Sequence, residues 1–583
     1  MEWLWQSRVR CTLALVALVL TACGGGGAPG GSGQRQTGSA FAGCDTKPNT
    51  CNSAAPDTLR QGGQLTYAIE KNIANWNLLS AEGSVLETGG VLAGLLPRTF
   101  ITLPDLTVAK NDDLLDSAKV TSTNPETIVY RIKASAVWSD GTPITAEDFI
   151  YNWQVQNGRN CPNCTPATTA GFDQVQSVTG SDNGKTVTAK LTKPFTDWKQ
   201  LWGSGSPLYP AHIAAQHGDI KTPQGLATSF TWFGKTVPTY SGGPFLIDNF
   251  KNNESVTLVP NPQWYGVRPK LDRLIYRIIT EAAQEPTALQ NREVQVLYPQ
   301  PQVDQVQQMR RIPGVSSFVG FGLSWEHFDL NLANNYLADP ALRTALFTAV
   351  DRQAIINKTV GQFADKIKPL NSHNFVPQQS GYEDVVGETG QGSGDLARAK
   401  QILTTAGYTI DGGQLRTRIG MSVPPMRIRY TVGNQVRQVE CELFAQQVKP
   451  LGITVQVIPT DDLGGTLARG DFDAIVFSWI ATPFPYASAA QLWATGQGSN
   501  FGRYSNPDVD RLIGAAASSP DEALAKETLN QADRRLTKDA YVLPLYQKPT
   551  FIALYDNIGN VRNNSSLDGP QYNVAQWGFR ATG

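Results

Sequence analysis

Between residues 427 and 479 the chain switches repeatedly between strand and helix patterns. RIRYTV at 427–432 reads as a strand, 436–450 as a helix, ITVQVI at 453–458 as a strand and FDAIVFSW at 472–479 as a buried strand. Such closely alternating elements bury their apolar faces by packing helices on a shared sheet, so the second half must hold an α/β layer. The flanking segments agree. Asp339-Pro340 caps a helix with Leu342, Leu346, Phe347 and Val350 on its core face, and Asp395 opens a helix that Gly407 closes. Asn506-Pro507 caps the next helix, 520–538 forms another, and 541–554 returns to β.

The first half is richer in strands. GGQLTYAIE at 62–70 alternates as a strand and leads into the loop 72–79; TIVYRIK at 127–133 is a second strand. In WSDGTPITAEDFI at 138–150, Asp140-Gly141 makes a turn, and Thr145 with Asp148 three residues on forms a variant capping box. Residues 175–191 form a hairpin, with Asn183-Gly184 supplying the positive φ angles of its turn. GSDNGKT within it also resembles a phosphate loop, but is one residue short between the glycines. Strands follow at 244–250, 254–260 and 271–279, then an aromatic β run at 316–332. No internal repeat is present.

The N-terminus points to the compartment. Residues 1–22 read as a signal peptide: a basic start with Arg8 and Arg10, then the ten-residue apolar run CTLALVALVL. That run is too short to remain as a spanning helix, which needs about 20 residues. LTAC at 20–23 resembles the lipobox of bacterial lipoproteins, which implies lipidation on Cys23 and an extracytoplasmic protein held at the cell membrane; the competing reading makes Cys23 only a small residue at an ordinary cleavage site. Residues 23–60 are rich in Gly, Ser, Ala, Pro and Thr and read as a flexible tether.

The 583-residue chain is long enough for two or more domains, and a formal net charge of −1 leaves no basic excess for nucleic acid. In an oxidising compartment Cys44 with Cys51, and Cys161 with Cys164, are expected as local disulfides, and Cys441 as a buried thiol. CPNC lies among Asn, Pro and Thr, without a second Cys or His pair at metal spacing, so no metal or other cofactor is expected. The four histidines are scattered, and neither G-x-S-x-G nor H-E-x-x-H occurs, so no catalytic residues are assigned and the chain is not read as an enzyme.

Several stretches together resemble the extracytoplasmic solute-binding proteins of bacterial family 5, the oligopeptide, dipeptide and nickel lipoproteins of ABC importers. They are VWSDGTPITAEDF at 137–149, NPQWY at 261–265, FDLNL at 328–332, DPALRTALFTAVDRQAI at 339–355, LGITV at 451–455, FDAIVFSW at 472–479 and NFGRYSNPDVDRL at 500–512. The resemblance implies a periplasmic-binding-protein type II clamshell of α/β class, two lobes plus an extra peripheral domain. Lobe I would comprise 60–100, 200–320 and 545–583; the peripheral domain 101–199; and lobe III 321–544. The chain would cross between lobes near 320–332 and 540–550, the expected hinge, and closure on a ligand is what a permease reads. The implied partners are a small-molecule or peptide ligand and the permease subunits, with the receptor a monomer.

A cleft that buries a soluble ligand needs aromatic and polar side chains. The candidates are Asn75, Trp76, Asn77, Trp325, Glu326, Trp479, Thr482 and Phe484, each with core packing as the competing reading. In the oligopeptide binders the stretch matching 478–485 resembles G-W-x-x-D, whose Asp pairs with the peptide α-ammonium. Here Thr482 stands at that position. A neutral hydroxyl cannot replace a buried carboxylate, so Glu326 or Glu70 must supply the charge, or the ligand is blocked or not a peptide. A scaffolding lipoprotein on the same fold that imports nothing is the alternative function.

Overall fold

The computed structural model describes residues 40–479 and 482–581; the signal peptide, Cys23 and the first part of the tether lie outside the described residues. In chain order the strands used below are β1 (Gln64–Ile69), β2 (Leu115–Thr123), β3 (Glu126–Ile132), β4 (Val175–Ser181), β5 (Thr186–Leu191), β6 (Phe245–Lys251), β7 (Ser255–Pro260), β8 (Arg273–Ile278), β9 (Val296–Leu297), β10 (Val315–Leu330), β11 (Met426–Thr431), β12 (Val455–Thr460), β13 (Ala474–Trp479) and β14 (Val542–Tyr555). The helices are α1 (Leu86–Leu92), α2 (Ala146–Gln156), α3 (Glu285–Gln290), α4 (Pro340–Ala349), α5 (Gln435–Val448), α6 (Pro485–Trp493), α7 (Pro507–Ala517) and α8 (Glu522–Lys538).

Ten strands form one sheet in the order β12-β11-β13-β10-β14-β9-β1-β8-β7-β6. The predicted strand–helix–strand unit folds as parallel β11 and β12 joined through α5. A parallel pair needs such a crossover, whereas antiparallel neighbours can join by tight turns, as β6 and β7 do. The middle of the sheet is made by β10 and β14, sixteen and fourteen residues long and almost wholly buried. They run antiparallel from Val315–Tyr555 to Asp329–Val542, so the same two strands serve the β11–β13 end and the β1–β8 end.

A separate four-stranded sheet, β2-β3-β5-β4, occupies the predicted hairpin region. Its β4–β5 turn places Asp182, Asn183 and Gly184 at positive φ, as the Asn-Gly signal requires. The α2 capping box is present: Thr145 accepts from the helix backbone and Asp148 reaches back to the Thr145 amide at 2.9 Å.

Residues 40–60 correct the tether reading, because they pack on the folded body. Phe41 is 1% exposed and stacks on Phe318 at 5.8 Å. Asn52 Nδ2 donates to the Val561 carbonyl at 2.7 Å, and the Arg562 guanidinium donates to the Cys51 carbonyl at 2.7 Å. One aromatic anchor and a disulfide suffice where composition shows few apolar residues. Cys44–Cys51 and Cys161–Cys164 are both disulfide-bonded, and Cys441 is a buried free thiol.

Candidate functional site

The β10–β14 ladder is interrupted between the pairs Phe321–Pro549 and Trp325–Gln547. Just beyond the interruption a charged cluster is buried. Glu326 on β10 stands opposite Ser478 on β13 and Tyr546 on β14, and paired residues of adjacent strands point to the same face. Over that face lies α5, which Asn434 caps by accepting from the Arg437 amide at 3.1 Å. Arg437 and Glu440, three residues apart, share one side of the helix.

Each nitrogen of the Arg437 guanidinium donates one hydrogen bond. Its Nε donates to Glu326 Oε1 at 2.7 Å, and its terminal nitrogens donate to Thr431 Oγ1 at 3.1 Å and Ser478 Oγ at 3.2 Å. Lys548 Nζ donates to Ser478 Oγ at 3.3 Å and lies 3.5 Å from Glu326 Oε2. Burial would raise the Glu326 carboxyl, but Arg437 and then Lys548 hold it below its ordinary value. Glu440 goes the other way: burial first, and then the Glu326 charge, push it up to about 8, while Tyr546 Oη donates to it. The cluster therefore sets two basic side chains, Arg437 and Lys548, against Glu326, while Glu440 is shifted toward its neutral form. Of the two basic side chains, Lys548, with a 24% exposed side chain, is the one more open to solvent or a ligand. An accessible ammonium suits a carboxylate or another anion.

Arg437, Glu440 and Lys548 went unnoticed in the sequence. They come from a helix and a strand more than a hundred residues apart, and no short motif joins them. The named candidates divide. Trp76 is 3% exposed and packs edge-on against Phe250 at 5.1 Å. Asn77 Nδ2 donates to the Phe230 carbonyl, and Asn75 Oδ1 accepts from the Asn77 amide at 2.8 Å. Trp325 is buried against His327, His373 and Trp493. In this structure these four make packing and turn-forming contacts. Glu326 already has Arg437 at 2.7 Å and Lys548 at 3.5 Å.

Trp479 is half-buried, stacked on Phe501 at 5.7 Å, and its Nε1 has no hydrogen-bond partner among the described residues. Thr482 is exposed and its hydroxyl serves its own turn, accepting from the Phe484 amide at 3.3 Å and pairing with Ser488 Oγ at 3.2 Å. Phe484 is half-buried at the start of α6. Buried His327 is held by Asp329 at 2.8 Å, and no group of three His, Cys, Asp or Glu is placed to hold a metal among the described residues.

The family model for bacterial extracellular solute-binding proteins, family 5 Middle, matches residues 111–501. The oligopeptide-binding protein OppA of Mycobacterium tuberculosis is 29% identical over 561 residues, covering 94% of this chain and 90% of its own. Among solved structures, the periplasmic EDTA-binding protein EppA is 36% identical with a TM-score of 0.86, covering 92% of this chain and 99% of its own. The oligopeptide-binding protein AppA from Bacillus subtilis, in complex with a nonapeptide, matches at 21% identity and a TM-score of 0.71, covering 90% and 100%; at that identity it speaks for the fold alone.

Proposed function

Since this chain belongs to the bacterial extracellular solute-binding proteins, family 5, we propose that it is the lipid-anchored receptor of an ABC importer and that its cargo is oligopeptides. The observation that carries the reading is the interrupted β10–β14 ladder with the partly exposed Lys548 beside it. Two long strands connect the ends of the sheet, and a gap in their hydrogen bonding is where two lobes can rotate. On this reading the lobes follow the sequence boundaries given above, with the four-stranded sheet in the peripheral domain. Lys548 then offers a cation to a ligand carboxylate beside the hinge, with Trp479 and Phe484 as apolar contacts. Cys23 holds the receptor at the outer face of the membrane, where the permease lies.

Oligopeptides and EDTA, the ligands named for OppA and EppA, both carry carboxylates, and Lys548 suits either. The oligopeptide-binding relative and the chain's own match to the peptide-importer stretches favour a peptide. Uptake of a labelled peptide mixture by cells with and without the gene tests the proposal. Uptake that falls on deletion and returns with the intact gene supports it. Unchanged uptake of peptides, with a chelate or nothing bound by the purified protein, contradicts it and leaves the polycarboxylate or the scaffolding reading.

A further inference from the structure

A recess of about 30 Å³, room for one or two water-sized groups, lies at the C-terminal ends of β1 and β9, beside α1. Three carboxylates line it: Glu70 directly after β1, Glu87 in the first turn of α1, and Glu285 at the start of α3. No Lys, Arg or His is among the described residues that line it. Glu285 is 1% exposed and Glu87 8%. Gln305 donates to Glu285 at 2.9 Å and the Gln300 amide donates to Glu70 at 3.2 Å. Glu87 Oε2 is buried and has no hydrogen-bond partner among the described residues. A buried carboxylate oxygen without a partner is costly. Here the Glu87 side chain lines the recess.

We infer that this recess is a subsite for an organic cation of the ligand, an ammonium or guanidinium group, and that it takes over the role of the acid missing at Thr482. The inference rests on the peptide reading above. A primary ammonium has three donors and no acceptor, matching a cavity whose free atoms are oxygens. Tyr67, Tyr298 and Leu86 supply aromatic and apolar walls for the carbon chain beside it. A metal ion fits less well, since no group of three acids is placed close enough to ligate one among the described residues. Burial raises Glu70, and burial followed by the Glu70 charge pushes Glu285 up to about 8.

The test is calorimetric titration of the whole protein with three probes: pentaalanine, N-acetyl-pentaalanine, and N-acetyl-tetraalanyl-lysine. Wild type is compared with E87Q and, as a second isosteric variant, E285Q. A cation-bearing probe that binds wild type and is weakened about 10- to 100-fold in the variants, while the acetylated alanine peptide is unaffected, supports the subsite. Which of the two cationic probes responds tells an α-ammonium from a side-chain ammonium. Equal binding of all three probes by wild type and variants overturns the subsite and leaves the peptide reading standing. No binding of any probe by wild type overturns the peptide reading, and the subsite with it.

Discussion

Replacing Arg437 with Met should be one of the costliest single changes in the chain. Glu326 is 2% exposed and Arg437 8%, and they are joined at 2.7 Å. Removing the guanidinium leaves a buried carboxylate, and breaking such a pair from one side costs about 3–5 kcal/mol. Lys548, at 3.5 Å and partly solvated, offsets some of the loss and moves the expectation to about 3 kcal/mol. The double variant E326Q/R437M removes both charges and should lose about 1 kcal/mol or less relative to wild type, because a desolvated ion pair adds little net stability. Urea unfolding followed by Trp fluorescence, on wild type, both singles and the double, closes the cycle. The Arg437→Met loss should persist when salt is raised, since a buried pair is poorly screened. A loss below about 1 kcal/mol, typical of an exposed ion pair, would refute the burial argument and with it the charge assignment of the cluster.

Three further expectations follow from other parts of the molecule. Asp197 is 5% exposed and accepts from the Ala487 amide of α6 at 2.7 Å, and burial pushes its carboxyl from 3.8 up to about 7. The fold therefore favours its protonated form. That contribution is whole below about pH 4 and is lost toward pH 7 at up to ~1.4 kcal/mol per unit, so D197N should flatten the fall in stability over that range; parallel profiles would contradict this. Phe41→Ala should cost about 3 kcal/mol in the same unfolding assay, whereas a mobile tether would show no change. Cys23→Ala should move the protein from the membrane fraction to the soluble one, and retention at the membrane rules out the lipid anchor.

The fold was legible because each local signal agreed with the tertiary arrangement. The β11–α5–β12 unit, the Thr145–Asp148 capping box and the Asn183-Gly184 hairpin all appear where the pattern put them. Residues 40–60 were misread because composition counts apolar residues, whereas Phe41, one disulfide and the Arg562 hydrogen bonds dock the segment. The site was less legible. A Trp beside a strand looks the same in sequence whether it faces a core or a cleft, and Trp76 and Trp325 face the core. Arg437 and Lys548 meet Glu326 only because α5 and β14 both pack at β10. No spacing rule joins residues 326, 437 and 548. Glu70 was visible as an acid, but its company with Glu87 and Glu285 depends on where α1 and α3 close over the end of β1.

The most direct test of the account is to identify what the protein carries. The intact protein is purified from cells grown on a peptide-rich medium, denatured gently, and the released small molecules are analysed by mass spectrometry. The account predicts a set of oligopeptides of varied side chains with free cationic groups. Release of a metal chelate or another polycarboxylate, or of nothing together with no thermal shift across a peptide library, would contradict it.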